Sequence, residues 1–187
     1  MIHPTDMMQD IEKVLISQEE ISQKVAQVGA QLSQDYKGKN PLFVGILKGV
    51  VPFYAAMLQQ ITIPCQTDFM CISSYSGTQS TGHLTFRKDL DQSIAGRHVV
   101  ILEDILDSGT TLYELMQILQ SRGPASLKIC TLLDKPTGRK KPIEADYCCF
   151  TIPGEFVVGY GLDYNEYYRN LPFVGVLKPQ VYQDANG

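Results

Sequence analysis

The stretch EDILDSGTT, residues 103–111, places three carboxylates, Glu103, Asp104 and Asp107, within five positions and follows them with Ser108, Gly109, Thr110 and Thr111. The hydroxyl-rich glycine turn leads into an amphipathic segment, so its backbone N–H groups and side-chain hydroxyls stand at a helix N-terminus, where an anionic phosphate is favoured. Adjacent carboxylates do different work: Glu103 and Asp104 are suited to accept ribose hydroxyls or to hold Mg²⁺, directly or through water. A sugar phosphate satisfies both halves. Complementing a helix dipole is worth roughly 0.3–1 kcal/mol and accounts for Asp107 alone, but not for three acids and a Ser-Gly-Thr-Thr turn. Neither GxxxxGK[ST] nor GxGxxG occurs, which excludes a P-loop and a dinucleotide-binding fingerprint.

The elements around this stretch predict how it is held. Ser17 and Glu20 form a capping box, and Ile21, Val25, Val28 and Leu32 follow at helical spacing, so residues 17–38 read as a helix. NPLFVGIL (40–47) reads as a buried strand and VVPFYAAMLQQ (50–60) as a helix, with Pro52 tolerated in its first turn. CQTDFMCISSY is the next strand. Residues 76–96 are rich in Ser, Thr and Gly and read as a long loop or lid with a short alternating segment, His83 to Phe86, inside it. Val99 to Leu102 is predicted as a strand that ends where the acidic loop begins. A helix with Leu112, Leu115, Met116 and Leu119 on one face follows, then strand SLKICTLLD and three short strand candidates in YCCFTIP, FVVGYGL and FVGVL. Strands alternating with helices imply an α/β fold, a mostly parallel central sheet flanked by helices. Ligands then bind beyond the C-terminal strand ends, where EDILDSGTT sits.

The bulk properties narrow the partners. With 187 residues and 44% hydrophobic content, the chain suits a single domain over residues 1–187. A net charge of -4 without a basic block argues against nucleic acid or anionic lipid as a partner. The stretch PLFVGILKGVVPFYAAML is interrupted by Lys48, Gly49 and Pro52 and is too short for a membrane span. The first residues are acidic and lack the basic-then-apolar pattern of a signal peptide, so the expected location is the cytoplasm. Cys65, Cys71, Cys130, Cys148 and Cys149 have no metal-ligand spacing and read as reduced, mostly buried thiols, and the three histidines lack partners suggestive of a site.

The acidic stretch and its turn resemble the phosphoribosyl pyrophosphate (PRPP) loop of type I phosphoribosyltransferases. LLDKP at 132–136 and FVVGYGLDYNEYYRNLPFVGVL at 156–177 resemble the hypoxanthine-guanine phosphoribosyltransferase family, GILKGVVPF at 45–53 is similar to its pyrophosphate loop, and SSYSGTQSTG at 73–82 to its flap. Nearly the whole chain is covered. The resemblance implies a type I phosphoribosyltransferase fold with a small hood, a mobile flap at about 73–90 and the PRPP loop at 103–111. It implies a purine-salvage enzyme joining hypoxanthine, with guanine as a second base, to PRPP and releasing pyrophosphate. Mg²⁺ would be its cofactor and a homodimer or homotetramer its assembly.

The roles implied are specific. Glu103 and Asp104 would hold the ribose hydroxyls and metal-bound PRPP, Asp107 would be the general acid/base at purine N7, and Ser108, Gly109, Thr110 and Thr111 would bind the 5′-phosphate. Leu47, Lys48 and Gly49, with a cis peptide at Leu47-Lys48, would bind pyrophosphate, Lys48 and Gly49 through main-chain groups, and Arg169 would contact it. Lys135 would donate to O6, Phe156 would stack on the base, the Val157 main chain would read its edge, and Asp163, counted with the purine-binding residues, would bind a second Mg²⁺ on the pyrophosphate side. Ser74 and Tyr75 would close over the reacting centre and exclude water. Taken alone, Lys135 is an ordinary solvated lysine, Phe156 and Val157 are plausible core residues, Asp163 and Arg169 a surface ion pair, and the tyrosines at 160–168 packing or interface residues. Xanthine remains open as the preferred base, because its extra carbonyl would be read by main chain, whereas Lys135 disfavours adenine. A PRPP- or nucleotide-binding regulator on the same fold is the other alternative; it should carry a basic face and is free to lose Asp107 and the pyrophosphate loop.

Overall fold

The computed structural model describes residues 6–74 and 84–183. Strands β1 (Ile11–Ile16), β2 (Leu42–Leu47), β3 (Gln66–Ser74), β4 (Leu84–Lys88), β5 (His98–Leu106), β6 (Ser126–Asp134), β7 (Tyr147–Thr151), β8 (Val157–Val158) and β9 (Val174–Leu177) form two sheets. Helices α1 (Gln18–Asp35), α2 (Val51–Leu58), α3 (Thr110–Ser121) and α4 (Pro179–Gln183) accompany them. The larger sheet has six strands in the order β4-β3-β2-β5-β6-β7, parallel except for β4, which runs antiparallel to β3. The smaller is antiparallel, in the order β1-β9-β8.

Alternation along the central strands explains the layers. Val100 and Leu102 of β5 and Phe43 of β2 join Ile21, Val25, Leu32, Phe53 and Met57 from α1 and α2. Val99 and Ile101, with Val44 and Ile46, instead face Leu112, Leu115 and Leu119 of α3. Strands buried on both faces read as the near-continuous apolar runs seen here. Among the described residues no helix is long and apolar enough to cross a membrane.

Two expectations are corrected. β5 does not stop at Leu102 but pairs with β6 as far as Leu106, so Glu103 and Asp104 belong to a strand and the PRPP loop proper begins at Asp107. The ladder to β6 satisfies their backbone while their side chains alternate across the strand end. The second concerns β1, which its mixed composition, IEKVLI, hid: it lies at the edge of the small sheet and exposes one face, with Val14 half exposed. The segment around His83 to Phe86 contributes β4, with Ser74 opposite Leu84; Tyr75 and His83 lie outside the described residues.

Sheet order also defines where a ligand belongs. From β2 the chain proceeds outward to β3, then returns to β5 on the other side and proceeds outward to β6 and β7, so the switch point lies between the C-terminal ends of β2 and β5. Upstream, the capping box of α1 is complete: Ser17 Oγ accepts from Glu20 N, and Ser17 N donates to the Glu20 carboxylate at 2.8 Å. Replacing Ser17 with Ala is expected to lower stability by about 1 kcal/mol in urea denaturation. Turnover should be unchanged, because the cap lies outside the cleft.

Candidate active site

At the switch point lies a cleft of about 430 Å³ lined by Leu47, Lys48 and Gly49 from the end of β2, Ser73 from β3, and the continuous run Glu103 to Leu112. The Leu47-Lys48 peptide is cis. Gly49 is required by space: a Cβ there would run into the carboxylate of Asp104, so the two segments touch through a bare backbone. Gly109 is required by conformation, with φ +73 as the N-cap of α3. Gly109 has no side chain with which to cap the helix, and apart from Thr110 N, which donates to Ser108 Oγ at 3.4 Å, its first-turn N–H groups are left without a side-chain acceptor beside Ser108, Thr110 and Thr111 on the cleft wall.

The acidic pair stands in an unfavourable place for charge. Burial, with the neighbouring Asp104 as a smaller contribution, pushes the Glu103 carboxyl far above its usual range, and Glu103 Oε2 is buried with no hydrogen-bond partner. Burial also pushes Asp104 up to about 6, against the opposing pull of its own bond from Ile105 N and of Arg169. These oxygens fit Mg²⁺, which is commonly held by one or two carboxylates with substrate oxygens completing the shell. Among the described residues no group of three or more His, Cys, Asp or Glu side chains forms a cage of its own.

Asp107 points to the other side of the loop, where its Oδ2 lies 2.8 Å from Lys135 Nζ. Lys135 directly follows β6, its N–H donating to Leu106 O at 3.0 Å, so the ends of the two strands are stitched together beneath this ion pair. Lys135 also lines a second cavity, about 440 Å³, with Glu12, Glu155, Phe156 and Tyr182. Phe156 stands 38% exposed on that wall, whereas the Val157 side chain is buried and its backbone pairs with Val176.

The third group comes from the segment after β8. Arg169 Nη2 lies 2.8 Å from Asp163 Oδ1, and its Nη1 donates to Gly161 O at 2.8 Å. Glu166 receives Lys48 Nζ at 3.0 Å and Arg169 at 3.3 Å, and these cations hold its carboxyl below the usual range. Asp163 and Arg169 are thus an ion pair, as their types alone suggest, but one tied through Glu166 to Lys48 at the cleft mouth. Of the expected residues, the structure gathers Leu47, Lys48, Gly49, Glu103, Asp104 and Asp107 to Thr111 in one cleft. It sets Lys135 and Phe156 on an adjoining cavity, while Ser74 ends β3 and Tyr75 is outside the described residues. Sequence reasoning missed Ile105, Ser73, Glu166 and Tyr182; Ile105, Ser73 and Glu166 lay inside quoted motifs without a role of their own, and Tyr182 lay outside them all.

Residues 15–165 match the model of the phosphoribosyl transferase domain. A doubly wound sheet with an acidic strand end and an uncapped helix N-terminus at its switch point is the architecture of that class. The hypoxanthine-guanine phosphoribosyltransferase of Streptococcus pneumoniae is 56% identical over 176 residues, covering 94% of this chain and 98% of that protein. The crystal structure of a hypoxanthine phosphoribosyltransferase from Staphylococcus aureus superposes with a TM-score of 0.91 at 50% identity, covering 96% of this chain and 99% of that one. The Trypanosoma cruzi hypoxanthine phosphoribosyltransferase in complex with the product IMP superposes with a TM-score of 0.89 at 40% identity, covering 93% and 98%. The chain belongs to the hypoxanthine-guanine phosphoribosyltransferase family.

The raised Asp104 carboxyl has a consequence for stability. Between the ordinary carboxylate range and about pH 6 the folded chain holds a proton that the unfolded chain has released, so stability is full at low pH and is lost as pH rises through about 6. Asp104→Asn should therefore stabilise the metal-free protein at pH 7 by on the order of 1–3 kcal/mol and do little at pH 4. Denaturation curves at the two pH values check this; equal effects at both would contradict it.

Proposed function

We propose that this phosphoribosyltransferase joins hypoxanthine, and guanine as a second base, to the ribose 5-phosphate of PRPP, releasing pyrophosphate. The observation that carries the base assignment is the Asp107–Lys135 pair, an acceptor and a donor 2.8 Å apart where the two cavities meet. A 6-oxopurine presents N7–H and O6 side by side on one edge and matches that pair in both polarities. Adenine would turn an amino group towards Lys135, donor against donor. The product IMP bound by the T. cruzi relative supports the same choice.

The remaining residues divide between sugar and leaving group. The first turn of α3, with Ser108, Gly109, Thr110 and Thr111, binds the 5′-phosphate, and Glu103 and Asp104 accept the ribose hydroxyls. Leu47, Lys48, Gly49 and Arg169 bind pyrophosphate; for Lys48 and Arg169 this means exchanging Glu166 for the phosphate oxygens. Glu103 and Asp104 would hold Mg²⁺, with Asp163 near a second ion, and the metal would supply positive charge against the departing pyrophosphate. The orphaned Glu103 Oε2 supports that placement. Phe156 stacks on the base, the Val157 main chain reads its edge, and Ile105 lines the cleft wall between the acids. The flap role of Ser74 and Tyr75 rests on the resemblance alone.

Catalysis then consists of positioning and electrostatics. Purine N9 attacks C1′ as the C1′–O bond to pyrophosphate breaks, and the proton leaving N7 passes to Asp107. A PRPP-binding regulator has no need of that base or of the pyrophosphate residues, and both are present. By resemblance the assembly is a homodimer or homotetramer, readable by light scattering, and the setting is the cytoplasm.

Incubation with PRPP and Mg²⁺ and, in parallel, hypoxanthine, guanine, xanthine and adenine should yield nucleotide with the first two. Product from adenine in preference to them would overturn the pairing argument, and no product at all would overturn the enzyme assignment. Asp107→Asn should reduce kcat by about 10²- to 10⁴-fold while leaving the KM for PRPP nearly unchanged. An equal loss in both would remove the acid/base role.

A further inference from the structure

Phe156 is one of four large apolar side chains exposed among the described residues, and other rings restrain it. Tyr182 stacks on it at 4.8 Å between centroids with 18° between the planes, and Tyr164 meets it edge-on at 5.7 Å and 87°. Tyr182 comes from α4, the five-residue helix after β9, and the chain is tied down on the way. Leu177 N donates to Phe156 O at 2.9 Å, Lys178 N to Asp10 O at 2.9 Å, and Lys178 Nζ to Gln9 O at 2.5 Å. Val181 and Tyr182 then pack against the small cluster of Ile11, Val158, Tyr168, Leu171 and Leu177. An aromatic ring placed just before a two-residue strand and partly exposed has little core to fix its rotamer, so a stacked neighbour decides its angle.

We propose that Tyr182 is a positioning residue for the purine: stacked on one face of Phe156, it holds that ring at the angle at which the opposite face receives the base. The two rings and Lys135 line one cavity, so the element that sets the stacking plane adjoins the donor to O6. The inference rests on the proposed role of Phe156 as the stacking platform. A ring already held loses less freedom when the base arrives, which is preorganisation in favour of binding rather than of turnover. The stack needs the ring of Tyr182 and not its hydroxyl.

Steady-state kinetics on the full chain test this. Tyr182→Ala, and Tyr182→Leu as a variant that keeps apolar volume, should raise the KM for hypoxanthine about 3- to 10-fold, the range expected for one aromatic pair. The kcat and the KM for PRPP should stay within about twofold on the same scale, and Tyr182→Phe should match the parent. Phe156→Ala should raise the same purine KM, and adding Tyr182→Ala to it should give no further loss. If Phe156→Ala raises the purine KM while Tyr182→Ala and Tyr182→Leu leave it unchanged, the Tyr182 inference fails and the role of Phe156 stands. If Phe156→Ala has no effect, both fail. A lower purine KM in Tyr182→Ala would mean that Tyr182 competes with the base, and an equal loss for purine and PRPP would mean that α4 only supports the fold; each overturns the proposal.

Discussion

Two carboxylates at the end of a strand hydrogen-bonded on both sides are the constraint around which the cleft is built. β2 pairs with β5 as far as Leu102, and β6 continues alongside it to Leu106, so the ladder to β6 fixes the strand that carries Glu103 and Asp104. Burial lifts both carboxyls above their ordinary range, and Glu103 Oε2 has no partner at all. Such a placement is unfavourable for folding, and the proposed metal and substrate would bring the compensating charges. The neighbouring segments follow from it. Gly49 has no side chain because Asp104 fills that space, and Arg169, close enough to lower Asp104, is itself fixed by Gly161 O and Asp163.

The same logic, with opposite polarity, governs the next few residues. Asp107 leaves the strand and pairs with Lys135, while α3 begins with an uncapped first turn. In each case a polar group of the cleft is satisfied by another protein group or left open, and the proposed substrate has the complementary atom. Lys48 and Arg169 share Glu166 in the same manner at the cleft mouth. These pairs hold long side chains in place before a ligand arrives, and being partly exposed they are weak enough to be exchanged. Under the proposed function a ligand would replace these interactions one by one.

How much of this was legible in the sequence depends on the range of the interaction. The capping box at Ser17 and Glu20, the apolar faces of α1 and α3, and the glycine turn are local patterns, and each predicts its element. The sheet is legible because central strands must be apolar on both faces. Where β5 ends was not, since acids ordinarily mark a loop and only the ladder to β6 carries Glu103 and Asp104 within the strand. β1 was missed because an edge strand with one exposed face has no continuous apolar run. Glu166 and Tyr182 act through partners 118 and 26 residues away, Lys48 and Phe156, and no spacing rule spans such distances.

The two sheets also separate the work chemically. The parallel sheet presents main-chain ends, a helix terminus and fixed carboxylates, features suited to a sugar phosphate that is the same for every base. The antiparallel sheet joins β1, near one end of the described chain, to β9 and β8, and β8 carries Phe156 and Val157 at its margin. Lys135 directly follows β6 of the large sheet but lines the cavity under the small one, and its pair with Asp107 is where the two surfaces meet. Under the proposed function the choice of base falls to the small sheet and to the Asp107–Lys135 pair. The donor site at the end of β5 is independent of that choice, which is why the acidic stretch alone identifies PRPP and leaves the base open.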